Sequence, residues 1–433
     1  MQALYQYIYI AAMLSIWLSV SFGIMYVIGG ILYIIQEQRE TIDLNAHDHE
    51  LPTVTIMVPA HNEGIVIATT VENIFQLNYP GHLIQLIVIN DNSSDNTGEE
   101  LQRMKEKYPE RDFTILTTDA VTGGKGKSLA LNNALKLAKN KWICIFDGDA
   151  APERNTLRLL VLKTFESDRY AAVYGRNKAR NRGRNILTKF INLELVTSQR
   201  IIHTGRWFLF KIGQIPGTNF IVRRDIMVEI GGWDTKAITE DTDLGFTLTK
   251  MGYLIALQSR AEAYQQEPER VSVYIKQRTR WAKGNYYVVV KNFKSIFTKI
   301  SWRVKFEVIY YFLTYYFFLG AVIIADLLML LWIGVRIFNF FVPGVISPDM
   351  FSLSLDFNFA LSFFIMIALY VIQTNIALAS DIGQSTLENF VLSFLAYFTY
   401  SQLWLVISIK AIYSFAMDTI FKREAKWYKT ERF

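Results

Sequence analysis

The stretch Trp142-Ile143-Cys144-Ile145-Phe146-Asp147-Gly148-Asp149 decides the fold of this chain. Five apolar residues followed at once by an acid–glycine–acid turn describe a strand buried on both faces that ends at a polar edge. Three similar runs precede it, at 54–58, 86–90 and 113–116, each closed by a polar or turn residue. Helical patterns lie between them at 63–76, 97–107 and 127–138. Strand–helix alternation predicts a doubly wound α/β layer with a mostly parallel, Rossmann-like sheet. Ligands of such sheets bind beyond the carboxyl ends of the strands. Pro59, His61 and Glu63 follow the first run, Asp91 the second, and Asp147 and Asp149 the fourth.

These residue types carry a consistent chemistry. Asp147 and Asp149 on one tight turn suit a hard divalent ion, which takes carboxylate and phosphate oxygens together; an ordinary Asp-Gly turn is the plain alternative. Asp91 can accept a hydrogen bond from a base imide or close an Asx turn. Pro59, His61 and Glu63 can line the same base pocket, although His61 also reads as a simple loop residue. Glycines at 123, 124 and 126 lead to Lys127 at a helix start, where amides and the helix dipole favour anions. Their spacing is not that of a P-loop, so Lys127 reads as a phosphate or base neighbour. Thr239-Glu240-Asp241 reads as a helix N-terminus with Gly252 as its stop, and a carboxylate there can also serve as general base. Gln277, Arg280 and Trp281 share one helical face, offering an amide, a guanidinium that can fork onto phosphate and an indole on which a sugar ring can stack.

Composition places this domain beside a bilayer. The chain has 433 residues, 51% hydrophobic, 14% aromatic and 19% charged, too apolar for an ordinary soluble enzyme. The apolar residues are segregated: 5–35 carries no charge, 36–302 is mixed, and further runs cover 306–345, 357–379 and 390–415. Each exceeds the roughly 20 residues that span a hydrocarbon core. The first run lacks the basic start and cleavage site of a signal peptide, so it reads as an uncleaved anchor. Lys and Arg after the anchor and before the second run put the central domain on the cytoplasmic side. A basic tail at 422–432 asks for five crossings rather than four, with 306–345 divided. Asp326 within that run is expected to face protein or water. The net charge of +6 is explained by basic residues near anionic lipid, and no patch suits nucleic acid. The single Cys144 excludes an internal disulfide, and inside its apolar strand it reads as a buried bystander.

With Asp91, Asp147-x-Asp149, Thr239-Glu240-Asp241 and Gln277-x-x-Arg280-Trp281 in this order between apolar runs, the chain resembles the family-2 glycosyltransferases. It is most similar to the processive membrane synthases of cellulose, chitin, hyaluronan and poly-N-acetylglucosamine. The resemblance implies a GT-A fold, a UDP-sugar donor, a Mg²⁺ or Mn²⁺ ion and inversion at the anomeric carbon. It implies Asp91 as the uracil contact and Asp149 as metal ligand, with Asp147 beside the donor and sharing the ion. Asp241, with Glu240, is implied as the base, and Gln277, Arg280 and Trp281 as pyrophosphate clamp and acceptor platform. Pro216-Gly217-Thr218-Asn219 resembles the loop bordering the acceptor sugar. Asn90 departs from the family's paired acids, and the Gly-Thr-Asn loop differs from those of other members; both leave sugar identity open.

The single N-terminal anchor and early C-terminus look most like the biofilm poly-β-1,6-N-acetylglucosamine synthases. The expected organisation is an anchor at 1–35, a cytoplasmic GT-A domain at 36–270, amphipathic interfacial helices at 271–305, an α-helical transmembrane bundle at 306–416 and a basic tail at 417–433. No PilZ-like segment follows the last run, so direct cyclic-di-GMP control within the chain is not expected. UDP-N-acetylglucosamine is the expected donor and a growing polysaccharide the acceptor, with the bilayer and a small membrane accessory subunit as partners. Tyr310, Tyr311, Tyr315, Tyr316, Tyr397, Tyr400, Gln402 and Trp404 are the expected lining of an export path, with aromatic interface belts the alternative. The competing functions are β-glucan synthesis from UDP-glucose, transfer of one sugar to a lipid carrier, and a transporter or scaffold without catalysis.

Overall fold

The computed structural model describes residues 2–314, 334–343 and 357–421. Tyr315, Tyr316, Asp326 and the basic tail from 422 onward, together with most of the 306–345 run, lie outside the described residues.

All four expected strands form. β1 (Val54–Ala60), β2 (Ile84–Asp91), β3 (Phe113–Thr118) and β4 (Trp142–Ile145) pair in parallel in the spatial order β3-β2-β1-β4. Val54, Ile56, Met57, Val58, Leu86, Ile87, Val88 and Ile89 are fully buried, each stabilising by roughly 1.5–3 kcal/mol relative to exposure. Cys144 is free and buried among them, packed as a small hydrophobe.

The strand order reverses between β2-β1 and β4, and a reversal of this kind opens a crevice beyond the carboxyl ends. That crevice is where the acidic residues gather. The helices α2 (Ile67–Phe75), α3 (Thr97–Lys107) and α4 (Lys127–Leu135) connect these strands. α2 begins four residues later than its pattern suggests. The amides of Glu63 and Gly64 are taken by Thr97 Oγ1 at 2.8 Å and Asp95 Oδ2 at 3.0 Å, so side-chain acceptors after β2 hold the segment in a loop.

The rest of the sheet is mixed. After the two-residue β5 (Ala151–Pro152) and α5 (Thr156–Thr164) comes β6 (Tyr170–Ala179). A continuous helical run follows, from α6 (Ile186–Thr197) through a π turn at Ser198–His203 into α7 (Thr204–Phe210). β7 (Phe220–Arg223) then inserts antiparallel to both β4 and β6. α8 (Arg224–Glu229) and α9 (Glu240–Lys250) lead to β8 (Leu254–Gln265), which pairs in parallel with β6 and antiparallel with β5. α10 (Val271–Asn292) and α11 (Trp302–Phe312) complete this part.

The helix at the N-terminus, Gln2–Arg39, is docked as well as apolar. Tyr33 Oη meets Ser259 Oγ at 3.1 Å, and Glu37 pairs with Arg200 at 2.8 Å. Among the described residues, Met13–Arg39 and Leu403–Ile420 are long and apolar enough to cross a membrane. The run 390–415, expected as one span, is instead divided between helices Leu387–Phe398 and Leu403–Ile420. The division falls at 399–402, where Tyr400 turns into the protein.

Several expected path residues are packing residues. Tyr310 sits edge-on to Tyr26 and Phe22, and Tyr311 packs buried against Phe246. Tyr397 packs edge-on to Tyr370.

Candidate active site

The crevice is an open cleft enclosing about 1160 Å³ of space when its solvent-filled mouth is included. Pro59, His61, Glu63, Asp91, Lys127, Asp147, Asp149, Gly217, Thr218, Glu240, Asp241, Gln277, Arg280 and Trp281 all line it. Asn219 does not. Its side chain is fully buried and donates to the carbonyls of Arg176 at 2.9 Å and Ala261 at 3.0 Å, so it ties β6 to β8 instead of facing a ligand.

At the end of β2 the Asp91 carboxylate is aimed by its neighbours. Its Oδ1 accepts from Thr118 Oγ1 at 2.8 Å and from the Gly124 amide at 2.9 Å, and its main-chain carbonyl lies 2.6 Å from His61 Nδ1. The strand β4 then delivers the acidic turn. The Ala150 amide donates to the Asp147 carbonyl at 3.0 Å, closing it. A Cβ on Gly148 would lie 2.9 Å from Glu63 Cγ and 3.3 Å from the Pro59 carbonyl oxygen, so only glycine lets the turn sit against the end of β1. Asp147 accepts from Lys127 Nζ at 2.5 Å, and buried Asp149 accepts from the Gln266 amide at 3.0 Å. Lys127 also donates to the Gly217 carbonyl at 2.7 Å and approaches Glu240 at 3.8 Å, joining turn, loop and helix start.

Opposite stand α9 and α10. Glu240 and Asp241 open α9, where amides and dipole favour carboxylates. Thr239 occupies the N-cap position but makes no capping bond, and its hydroxyl is buried without a hydrogen bond among the described residues. Gly217 has φ +79°, and a Cβ there would meet Asp241 Oδ2 at 2.8 Å, so the loop crosses the carboxylate at a position only glycine fills. Burial pushes the Glu240 carboxyl up to about 7, helped by the Asp241 charge beside it. Burial likewise raises Asp241. For Lys127, burial works against the charge, but Asp147 and Glu240 hold its pKa above the ordinary lysine value. Burial lowers Arg280, against the pull of Glu240 and Asp241, and no carboxylate among the described residues forms an ion pair with it. Six carboxylates (Glu63, Asp91, Asp147, Asp149, Glu240, Asp241) thus face two fixed cations, Lys127 and Arg280. Carboxylate oxygens are the donors a hard divalent cation takes together with phosphate, and among the described residues no group of three or more such side chains is already gathered as a metal site.

Sequence patterns missed part of the lining. Gln265 and Gln266 reach the cleft from the end of β8, and nothing in their local sequence marks them. Arg278, within the Gln277–Trp281 segment, does not line the cleft, and its local sequence gives it no role. It is fully buried, with its guanidinium 4.1 Å from the Trp281 ring centre, so one indole face is already covered.

Comparison with known proteins shows the family and the fold. A family profile described as "Glycosyltransferase like family 2" matches residues 52–284. A probable glycosyltransferase, YdaM, of Bacillus subtilis is 36% identical over 419 residues, covering 96% of both chains. A β-monoglucosyldiacylglycerol synthase of Synechocystis is 29% identical, covering 65% of this chain and 58% of its own. A poly-β-1,6-N-acetyl-D-glucosamine synthase of Staphylococcus aureus is 28% identical, covering 63% of this chain and 65% of its own. Among solved structures, a mannosyltransferase of Pyrobaculum calidifontis in complex with GDP-Man and Mn²⁺ shares the fold. Its TM-score is 0.57 at 18% identity, covering 95% of this chain and 100% of that one.

Proposed function

The chain belongs to the family-2 glycosyltransferases, and on that premise we propose that it polymerises a UDP-sugar, UDP-N-acetylglucosamine, into a β-linked exopolysaccharide at a membrane. The observation that carries this reading is the meeting, in one cleft, of the acidic turn, the Glu240–Asp241 helix start and the Gln277–Trp281 face.

In this reading the donor's base lies against Asp91 and its diphosphate points toward Lys127 and Arg280. Asp149 and Asp147 would hold a Mg²⁺ or Mn²⁺ ion, which supplies charge neutralisation to the departing diphosphate. The acceptor sugar rests on the free face of Trp281 with Gly217 and Thr218 beside it. Asp241 takes the proton of the acceptor hydroxyl as that oxygen attacks the anomeric carbon, and UDP leaves. One displacement without a covalent enzyme intermediate inverts the centre. Arg280, a cation with no ion-pair partner among the described residues, meets the charge that grows on the leaving group. The raised Asp241 suits proton abstraction, since a base works best with its pKa nearer the working pH.

The apolar helices Met13–Arg39 and Leu403–Ile420 support placement at a membrane, and in this reading the basic residues flanking the apolar runs put the catalytic domain on the cytoplasmic side. Export of the polymer through the helical region belongs to the same reading.

A second reading, transfer of a single glucose to a lipid, is favoured by the similarity to the Synechocystis enzyme at nearly the same identity. Purified full-length protein in nanodiscs, offered UDP-N-acetylglucosamine and UDP-glucose separately, separates them. The polymerase reading expects UDP release from UDP-N-acetylglucosamine and a product ladder that a β-1,6-N-acetylglucosaminidase digests. Release from UDP-glucose alone with one lipid-soluble product would overturn it.

A further inference from the structure

The side of Trp281 turned away from the cleft is held by a charge relay, buried at Arg278 and half-buried at Glu194, with no part in the chemistry described above. Arg278, on α10 beside the cleft-lining Gln277, has no exposed surface. Its guanidinium lies 4.1 Å from the Trp281 ring centre and 5.1 Å from that of Tyr274. Its Nη2 stands 3.3 Å from Glu194 Oε1, and its Nη1 donates to Gln277 Oε1 at 3.2 Å. Nε and Nη2 make no hydrogen bond among the described residues, so apart from the Gln277 bond it is charge and ring faces that keep this guanidinium in place.

Glu194, on α6, uses its other oxygen as well. Oε2 accepts from Tyr274 Oη at 3.3 Å and from Tyr400 Oη, which comes from the turn between helices Leu387–Phe398 and Leu403–Ile420. A second carboxylate, Glu267, is close enough to act on the same guanidinium and is tied to cleft-lining Gln265 at 2.7 Å.

We propose that Glu194 is a positioning residue for the acceptor side of the reaction: through Arg278 it fixes the Trp281 indole, and through Tyr400 it couples that indole to the C-terminal helices. The inference rests on the reading of Trp281 as the acceptor platform. Glu194 itself touches no substrate.

The test uses the full chain in nanodiscs, a β-1,6-linked N-acetylglucosamine tetrasaccharide, and UDP. Glu194→Gln keeps the volume and an acceptor for the tyrosines but loses the charge. It should weaken tetrasaccharide binding about tenfold, the scale of one desolvated cation–π contact, and leave UDP binding unchanged. In turnover the same variant should raise the acceptor KM while the donor KM stays fixed. Glu194→Asp should restore part of the loss, and Tyr400→Phe should give a smaller effect of the same kind. Unchanged saccharide affinity in Glu194→Gln, no saccharide binding by the wild type, or equal losses for UDP and saccharide would each overturn the proposal. Saccharide binding that depends on Glu194 in a protein that releases UDP from no donor would support it and sink the transferase reading instead.

Discussion

On the sheet wall of the cleft, Asp91, Asp147 and Asp149 take their places from strand ends and backbone turns. On the helix wall, α9 and α10 carry Asp241 and Arg280, and Trp281 takes its place from side chains that meet across long stretches of sequence. Gly148 fits because the turn after β4 abuts the end of β1, its parallel neighbour in register from Val54 and Trp142. Trp281 is held by Arg278, which is paired with Glu194, which in turn is bonded by Tyr400 some 206 residues away. The first arrangement is carried by the regular geometry of a buried parallel sheet, the second by a few charges in a low-dielectric setting. Charges of that kind are strongly coupled when paired and costly when orphaned. The sheet wall should therefore tolerate changes behind it, and the helix wall should not.

The largest expected effect falls on the helix wall. Asp241→Asn removes the proposed proton acceptor but keeps the shape and the bond from the Thr242 amide at 2.7 Å. Transfer should fall by about 10²–10⁴-fold, the usual contribution of a positioned general base, with UDP affinity retained. Near-normal UDP release by this variant in a continuous assay would remove Asp241 from the base role.

Next comes the acidic turn of the sheet wall. Chelating divalent ions, or replacing Asp149 by Asn, should reduce turnover about 10²–10³-fold, corresponding to several kcal/mol of charge stabilisation. The chelated wild type should recover with Mg²⁺ or Mn²⁺ and the variant should not. Full activity in chelator would show that Lys127 and Arg280 suffice for the diphosphate.

A third effect concerns pH. Glu240 is raised from 4.5 to about 7, mainly by burial. The folded chain therefore keeps a proton that the unfolded chain has lost, and stability must fall as pH rises between these two values. The slope is at most about 1.4 kcal/mol per pH unit. Asp241, shifted in the same direction, adds to it. Glu240→Gln should flatten the decline in Tm of the ligand-free protein between pH 5 and pH 7. An unaltered profile would place the titration elsewhere.

Legibility in the sequence follows the same division. Apolar runs such as 54–58 and 142–146 announced their strands because both faces of a parallel sheet are covered, so no polar residue interrupts them. β6 and β8 gave no such signal. They carry Arg176, Lys178 and Glu262, and these are paired with one another and with Asp381 beyond the helix Phe357–Ala379. Local patterning sees only misplaced charges there, because the partner that satisfies them is some 200 residues away. The short signatures marked most of the cleft lining for a related reason: the acidic ones lie at strand ends or a helix start, and Gln277, Arg280 and Trp281 share one face of α10, so which way they point is set locally. Asn219 misled because adjacency to Thr218 says nothing about which way a side chain turns. Gln266 escaped because it meets Asp149 through a main-chain amide, which no residue type encodes.

The smallest expected effect tests the sheet wall's tolerance most directly. Cys144 lies three residues before Asp147, fully buried, with Ile56 and Ile221 as its register neighbours in β1 and β7. Burial pushes its thiol well above the usual value, so it is neither a nucleophile nor a ready target for oxidation. Cys144→Ala removes one sulfur from the core and should cost about 1–2 kcal/mol from lost contacts and a small cavity. The acidic turn is set by β4's backbone pairing to β1, and the substitution leaves that pairing alone. Donor KM and kcat should therefore remain those of the wild type while Tm drops by a few degrees. If donor KM rose instead, side-chain packing behind the sheet would be shaping the turn, and the two walls would not differ in kind.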